Sequence, residues 1–172
     1  LSSVCSADPG IALLQIAHEI RRDPDLVHLF ETVAPDDILA ELGRRPAARP
    51  VLAAIQDFLS AHGHRASREA ELSTPRWNED PGFLIRVLRT ELRSAFLPEP
   101  TALTAQQTRV REQATAEVER RLPRAFRTVF RSALALAHNA ARIRESLRSI
   151  VAESLGMYRR LLLEVGARLI QA

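Results

Sequence analysis

The sequence has no lysine. All 24 of its basic residues are arginine, set against 21 acidic residues for a formal net charge of +3. Only Tyr158 and Cys5 titrate between histidine and arginine, so this small excess persists to high pH. The pI of about 10.2 therefore reports missing lysines rather than a dense positive surface. One cysteine, Cys5, excludes an intrachain disulfide framework, leaves any zinc site to histidine and carboxylate, and fits a reducing cytoplasm. The six glycines stand apart from one another, so neither a phosphate-cradling loop nor a dinucleotide fingerprint is available, and little material is left for turns between many strands. No apolar run approaches the ~20 residues of a bilayer crossing, and no charged-then-apolar signal segment opens the chain. Its first residue is Leu1 rather than methionine, and the expectation is an excised or processed piece of a longer protein. Abundant arginine, alanine and leucine without lysine also fit GC-rich bacterial coding.

What is present is a globular composition, 46% hydrophobic and 26% charged over 172 residues, enough for one ordinary domain with a sizeable core. Proline and glycine divide it into helices. Asp8-Pro9 and Asp23-Pro24 each read as an N-cap followed by a first helical residue. The first opens the series Ile11, Leu14, Ala17 and His18, and the second carries Leu26, Val27, Leu29 and Phe30. Pro35 begins a third piece with Ile38, Leu39 and Leu42, ended by Gly43 in the place of a left-handed cap. Arg44 to Pro50 reads as a linker between these short helices of 1–46 and a helical region over 50–172. Val51, Ile55, Phe58 and Leu59 define a helix closed by Gly63. His64 to Asp80 has no sustained apolar period and reads as a long ordered loop. Asp80-Pro81 restarts helix through Leu84, Val87, Leu88 and Leu92 towards Phe96, and Pro98 and Pro100 stop it.

The last third is almost unbroken helix from Thr101 or Thr104, with Pro123 at a junction. Phe126, Val129, Phe130, Ala133, Ala137 and Ala140 form one seam. Val151, Leu155, Tyr158, Leu162, Val165 and Leu169 form another, stepping by four and three in a coiled-coil-like register. The expectation is two long antiparallel helices that turn near Ser146 to Ser149 or bend near Gly156. All-α is the fold class, as a single helical domain over 1–172.

Chemistry-bearing patterns are few. A serine nucleophile elbow is absent and Cys5 has no evident base beside it, which argues against a nucleophilic catalyst. His62 and His64 would need Glu69 and Glu71 to complete a zinc site, and splay apart at a helix end; capping of that end and bonds to the local backbone are the favoured roles. His18, His28 and His138 read as surface or satisfied interface residues. Arg120, Arg121, Arg124, Arg127 and Arg131 are interleaved with carboxylates, and the net charge is small, so no nucleic-acid partner is expected. The stretch from Gly63 to Pro81 gathers arginine forks, carboxylates and the only tryptophan where two helices meet. That composition suits gripping a polar ligand or a neighbouring domain. It equally suits an arginine–glutamate network that satisfies a loop, with Trp77 as its hydrophobic plug.

Gly63-His64-Arg65, the acidic Glu69 and Glu71, and Pro75-Arg76-Trp77 with Asp80-Pro81 resemble a signature in the central region of the phosphoenolpyruvate synthase and rifampin phosphotransferase family. The resemblance continues through Arg124, Phe126, Phe130, Arg142, Arg144, Glu145 and the run from Arg159 to Gly166, and covers roughly Val51 to Ala172. Arg68 departs from it, since glycine is commoner there. The resemblance implies a helical substrate-binding or domain-positioning module of a larger ATP-dependent phosphotransferase, incomplete as a catalyst alone. Its partners would be the ATP-binding and phosphohistidine domains of the same parent chain and a small-molecule substrate: pyruvate, an ansamycin antibiotic or another metabolite. ATP and magnesium would serve the parent, with no cofactor or metal on these residues and no membrane partner. Arg65 and Arg76 would orient an anionic group or the phosphorylated domain, His64 would support the loop or donate to substrate, Glu69 would hold an arginine, and Trp77 would wall the site. The alternative is a non-catalytic helical module that binds a protein through the Val151 to Leu169 seam.

Overall fold

A computed structural model describes residues 8–171, and among these the secondary structure is helical throughout. The order is α1 (Asp8–Arg21), α2 (Pro24–Thr32), α3 (Ile38–Arg44), a 3-10 turn (Pro46–Ala48), α4 (Arg49–His62), α5 (Pro81–Arg93), α6 (Pro100–Arg121) and α7 (Arg124–Gln171). The Asp-Pro device works as its chemistry requires. Asp23 accepts the Asp25 N–H at 2.9 Å ahead of Pro24, and Asp80 accepts the Phe83 N–H at 3.3 Å ahead of Pro81. Each satisfies a backbone donor that the first helical turn leaves open. Asp8 is the first described residue of α1, and its side chain, like Cys5, lies outside the described residues.

The core is made by the first five helices. Ile16, Ala17 and Ile20 of α1 meet Leu26, Leu29 and Phe30 of α2, Ile38 and Leu42 of α3, Val51, Ile55 and Phe58 of α4, and Leu84, Ile85 and Leu88 of α5. The three- and four-residue spacings put each set on one helix face, and each large aliphatic side chain so buried contributes about 1.5–3 kcal/mol. Arg21, at the end of α1, donates to the Leu92 carbonyl at 2.9 Å and also reaches the carbonyls of Glu91 and Ser94, closing the end of α5 onto the core. His18 bonds the Pro98 carbonyl at 3.1 Å.

Several expectations are corrected. Gly43 lies inside α3, and no glycine among the described residues has a positive φ, because α3 ends through an extended Arg45 instead. The stretch Arg44 to Pro50 is no loose linker: it is wound into a 3-10 turn whose Ala48 is fully buried. Leu97 rather than Phe96 enters the core beyond α5. α6 starts at Pro100, a residue suited to a first helical turn.

The largest correction concerns the C-terminal third. α7 is one helix of 48 residues, about 72 Å long at 1.5 Å per residue, with no turn at Ser146 to Ser149 and no break at Gly156. Nothing between Arg124 and Gln171 is proline, and an interior glycine costs only about 1 kcal/mol. The two long helices are α6 and α7, divided at Pro123. A two-bond pair between Glu119 and Arg131, at 2.7 and 2.8 Å across twelve residues, closes because the chain turns a sharp corner there. The predicted seam is mostly outside: Leu155 is half-buried, and the other five residues run from 45% exposed at Val165 to 73% at Leu169. The face of α7 that meets the rest of the molecule is Glu145, Ser149, Ala152, Gly156 and Arg159, adjacent to that seam and much less apolar.

Candidate functional site

The site is the loop from Gly63 to Asp80 with the turns of α7 that lie on it. The loop is closed at its neck by backbone bonds from Trp77 N–H to the Arg65 carbonyl at 2.9 Å and from Asn78 N–H to the Gly63 carbonyl at 3.1 Å. Gly63 follows α4 with its N–H on the Leu59 carbonyl at 2.8 Å. A Cβ there would stand 2.9 Å from the Asn78 Cβ, so the neck closes only around glycine. Arg68 sits in ordinary backbone with negative φ, so an arginine there needs no strain.

Trp77 anchors the loop. Its ring is stacked between Phe58 at 5.9 Å and Phe83 at 6.1 Å, with interplanar angles of 22° and 14°. This joins the loop to α4 and α5, and fits the hydrophobic-plug role. His62 tilts against Phe58 at 5.0 Å.

The charged residues beside Trp77 are drawn inside. Arg76 is 2% exposed, Glu145 of α7 is 5% and Arg65 is 8%. Arg65 lies between two carboxylates, 3.6 Å from Glu145 and 4.0 Å from Glu69. The outer Glu69 oxygen accepts from Arg148 at 2.7 Å, which raises the Arg148 pKa, while the Glu69 backbone carbonyl accepts from Arg76 Nη1 at 2.9 Å. Glu79 accepts from Arg159 at 2.7 Å and from the Arg76 N–H at 3.1 Å. Burial pushes its carboxyl up, but those hydrogen bonds and the two guanidinium charges outweigh it and hold the group below the usual carboxylate range. Arg159 also reaches the Leu72 carbonyl at 2.5 Å.

His64 meets the Ser149 hydroxyl across the interface at 3.1 Å, so it supports the loop through α7 rather than through the local backbone. Burial lowers its pKa, with the Arg65 charge adding to the effect against Glu153 and Glu69. Glu71 is turned to Ser73. Among the described residues no three histidine, cysteine or acidic groups converge as metal ligands. Thus the five residues His64, Arg65, Glu69, Arg76 and Trp77 come together as one interface, four of them facing α7 and Trp77 facing the core. The α7 side of that interface, Glu145, Arg148, Ser149 and Arg159, was not singled out from the sequence as a site. A spacing signal exists for it: Glu145, Ser149, Ala152, Gly156 and Arg159 recur at four and three residues, with three small side chains among them.

Residues 1–145 match the family described as the rifampicin phosphotransferase fourth domain. The chain belongs to that family. Within it, the match ends inside α7, at Glu145. The rifampicin phosphotransferase of Streptomyces sviceus is 34% identical over 124 residues, 69% of this chain and 14% of that protein. The prodigiosin synthesizing transferase PigC of Serratia marcescens is 29% identical over 173 residues, 98% of this chain and 19% of that protein. The rifampicin phosphotransferase of Bacillus subtilis is 29% identical over 89 residues, 52% of this chain and 10% of that protein. The chain thus spans less than a fifth of the length of these relatives. No helix among the described residues is long and apolar enough to cross a membrane.

Proposed function

We propose that this rifampicin phosphotransferase fourth-domain chain is a helical domain-positioning module of an ATP-dependent phosphotransferase, working with ATP-binding and phosphohistidine domains of a longer polypeptide. One observation carries the reading. Arg65 and Glu69 fix α7 against the compact five-helix core through Glu145 and Arg148, and Arg76 braces Glu69 from within the loop, while most of α7 projects past that contact with both ends uncovered. A rigid arm set at a defined angle by buried charges is a device for holding a neighbour in place. Under this reading nucleotide and magnesium are held by another domain of the parent. The test is Arg76→Ala in the full-length parent, with phosphotransfer from ATP to substrate measured. A drop of at least about tenfold, or 1.4 kcal/mol, is expected, and a normal rate would show that the buried network positions nothing of consequence.

The second reading, a non-catalytic module that binds a partner through the Val151 to Leu169 seam, gains support from the exposure of that seam. Sedimentation of the 172-residue chain at micromolar concentration separates the two. Reversible association abolished by Leu162→Glu would favour the second, and a monomer would leave only the first.

A further inference from the structure

Only half of the Arg76 guanidinium is used. Nη1 donates to the Glu69 carbonyl, whereas Nε and Nη2 are buried with no hydrogen-bond partner. Those two atoms form one edge of the planar fork, where two N–H bonds run side by side. It is the edge on which a carboxylate or phosphate sets two oxygens at once. A buried donor left unmatched is costly, and the protein holds this one in place with a stacked tryptophan beside it and an α7 turn above it. That turn has no side chain over the fork: a Cβ on Gly156 would lie 3.9 Å from Nε.

Next to the fork is a cavity of about 230 Å³ with Arg76, Gly156, His64, Asn78, Glu153 and Arg160 in its wall. It is smaller than the about 300 Å³ at which sites for drug-sized ligands begin, and suits a small oxyanion. Its charges favour an anion. Its wall sets Arg76 and the exposed Arg160 against Glu79 and Glu153, and Arg159, paired with Glu79, brings a third positive charge beside it. The fork is sealed from solvent as it stands, and the seal is weakly made, since Glu145, Ala152 and Gly156 are the buried residues of all α7. Contacts so polar and so small permit relative movement.

We propose that the Nε and Nη2 edge of Arg76, with Arg160 at the mouth of the cavity, is a binding site for the oxyanion of a phosphate or carboxylate group, reached when the α7 turn at Gly156 shifts outward. The inference stands on the geometry of the cavity and survives if the domain-positioning reading fails.

The experiment titrates inorganic phosphate, and separately acetate, into the 172-residue chain at constant ionic strength in chloride, following the Arg76 Nε–H resonance by NMR. A saturable shift with phosphate marks a phosphoryl ligand, and one with acetate marks a carboxylate. Arg160→Gln should weaken binding at least about fivefold, as loss of one charge-assisted contact does, and Glu153→Gln should strengthen it. Gly156→Ala places a methyl over the fork with the better helix former, so it should keep its helix content by circular dichroism and lose at least about tenfold in affinity. No shift with either ion, or a folded Gly156→Ala chain that binds as tightly as the parent, overturns the site.

Discussion

Glu145 and Arg148 stand three residues apart on α7 and both reach the loop, yet their loss should cost different amounts. Glu145 is buried against the buried Arg65, so Glu145→Ala leaves that interior guanidinium with Glu69, 4.0 Å away, as its remaining carboxylate, at about 3 kcal/mol. Arg148 keeps 60% of its side chain in solvent, and Arg148→Ala should cost under about 1 kcal/mol. Urea unfolding of the two variants checks this, and equal losses would mean that the interior pair is not formed. Acid supplies a second test. His64 has a folded pKa below 6.5, so the unfolded chain takes up its proton first, and stability is full above 6.5 and falls as pH drops towards the folded value. Glu79, whose pKa is lowered from 4.5, adds a loss that begins only below that point. His64→Asn should therefore flatten the thermal stability profile between pH 6.5 and 5 while leaving the more acidic limb intact. Arg76 and Trp77 are legible in the sequence as a planar fork and a lone large aromatic in a polar tract. The charge partner Glu145 is not, because a carboxylate among many on a long helix acquires its role only when folding brings a distant loop against it.

Helix starts are legible in the sequence wherever local chemistry sets them. Asp23-Pro24 and Asp80-Pro81 begin helices because the carboxylate fills an open donor and the ring presets φ. Asp23→Ala should accordingly destabilise by about 1 kcal/mol, seen as a lowered midpoint in thermal melts, and an unchanged midpoint would deny the cap its role. For α7, periodicity points to the wrong face because it ranks faces by hydrophobicity alone. Both faces have the four-three spacing, but the less apolar one carries the residues that match the loop: a carboxylate for Arg65, a hydroxyl for His64, a glycine that admits the Arg76 guanidinium, and Arg159 for Glu79. Specific polar complementarity decides which side of the helix docks, and no repeat in one segment reveals what another segment offers.

At the scale of the molecule, two kinds of cohesion meet. The first five helices are held by aliphatic and aromatic burial, which salt does not weaken. α7 is held by ion pairs, of which Arg148 with Glu69 has its guanidinium mostly in solvent and Arg159 with Glu79 is part-buried. Screening at 1 M salt shortens the electrostatic range to about 3 Å, so it should loosen the arm before it touches the core. Hydrogen exchange read by segment gives the outcome directly. Raising sodium chloride from 0.05 to 1 M should speed exchange through the 63–80 loop several-fold, while α1, α4 and α5 keep their protection. The amides of α7 are bonded within the helix itself, so they should respond less than the loop beneath them, and a difference between loop and helix is the signature of an arm that lifts rather than melts. Uniform acceleration everywhere would mean that loop, arm and core unfold as one unit, and an arm that cannot move separately could not uncover the fork of Arg76.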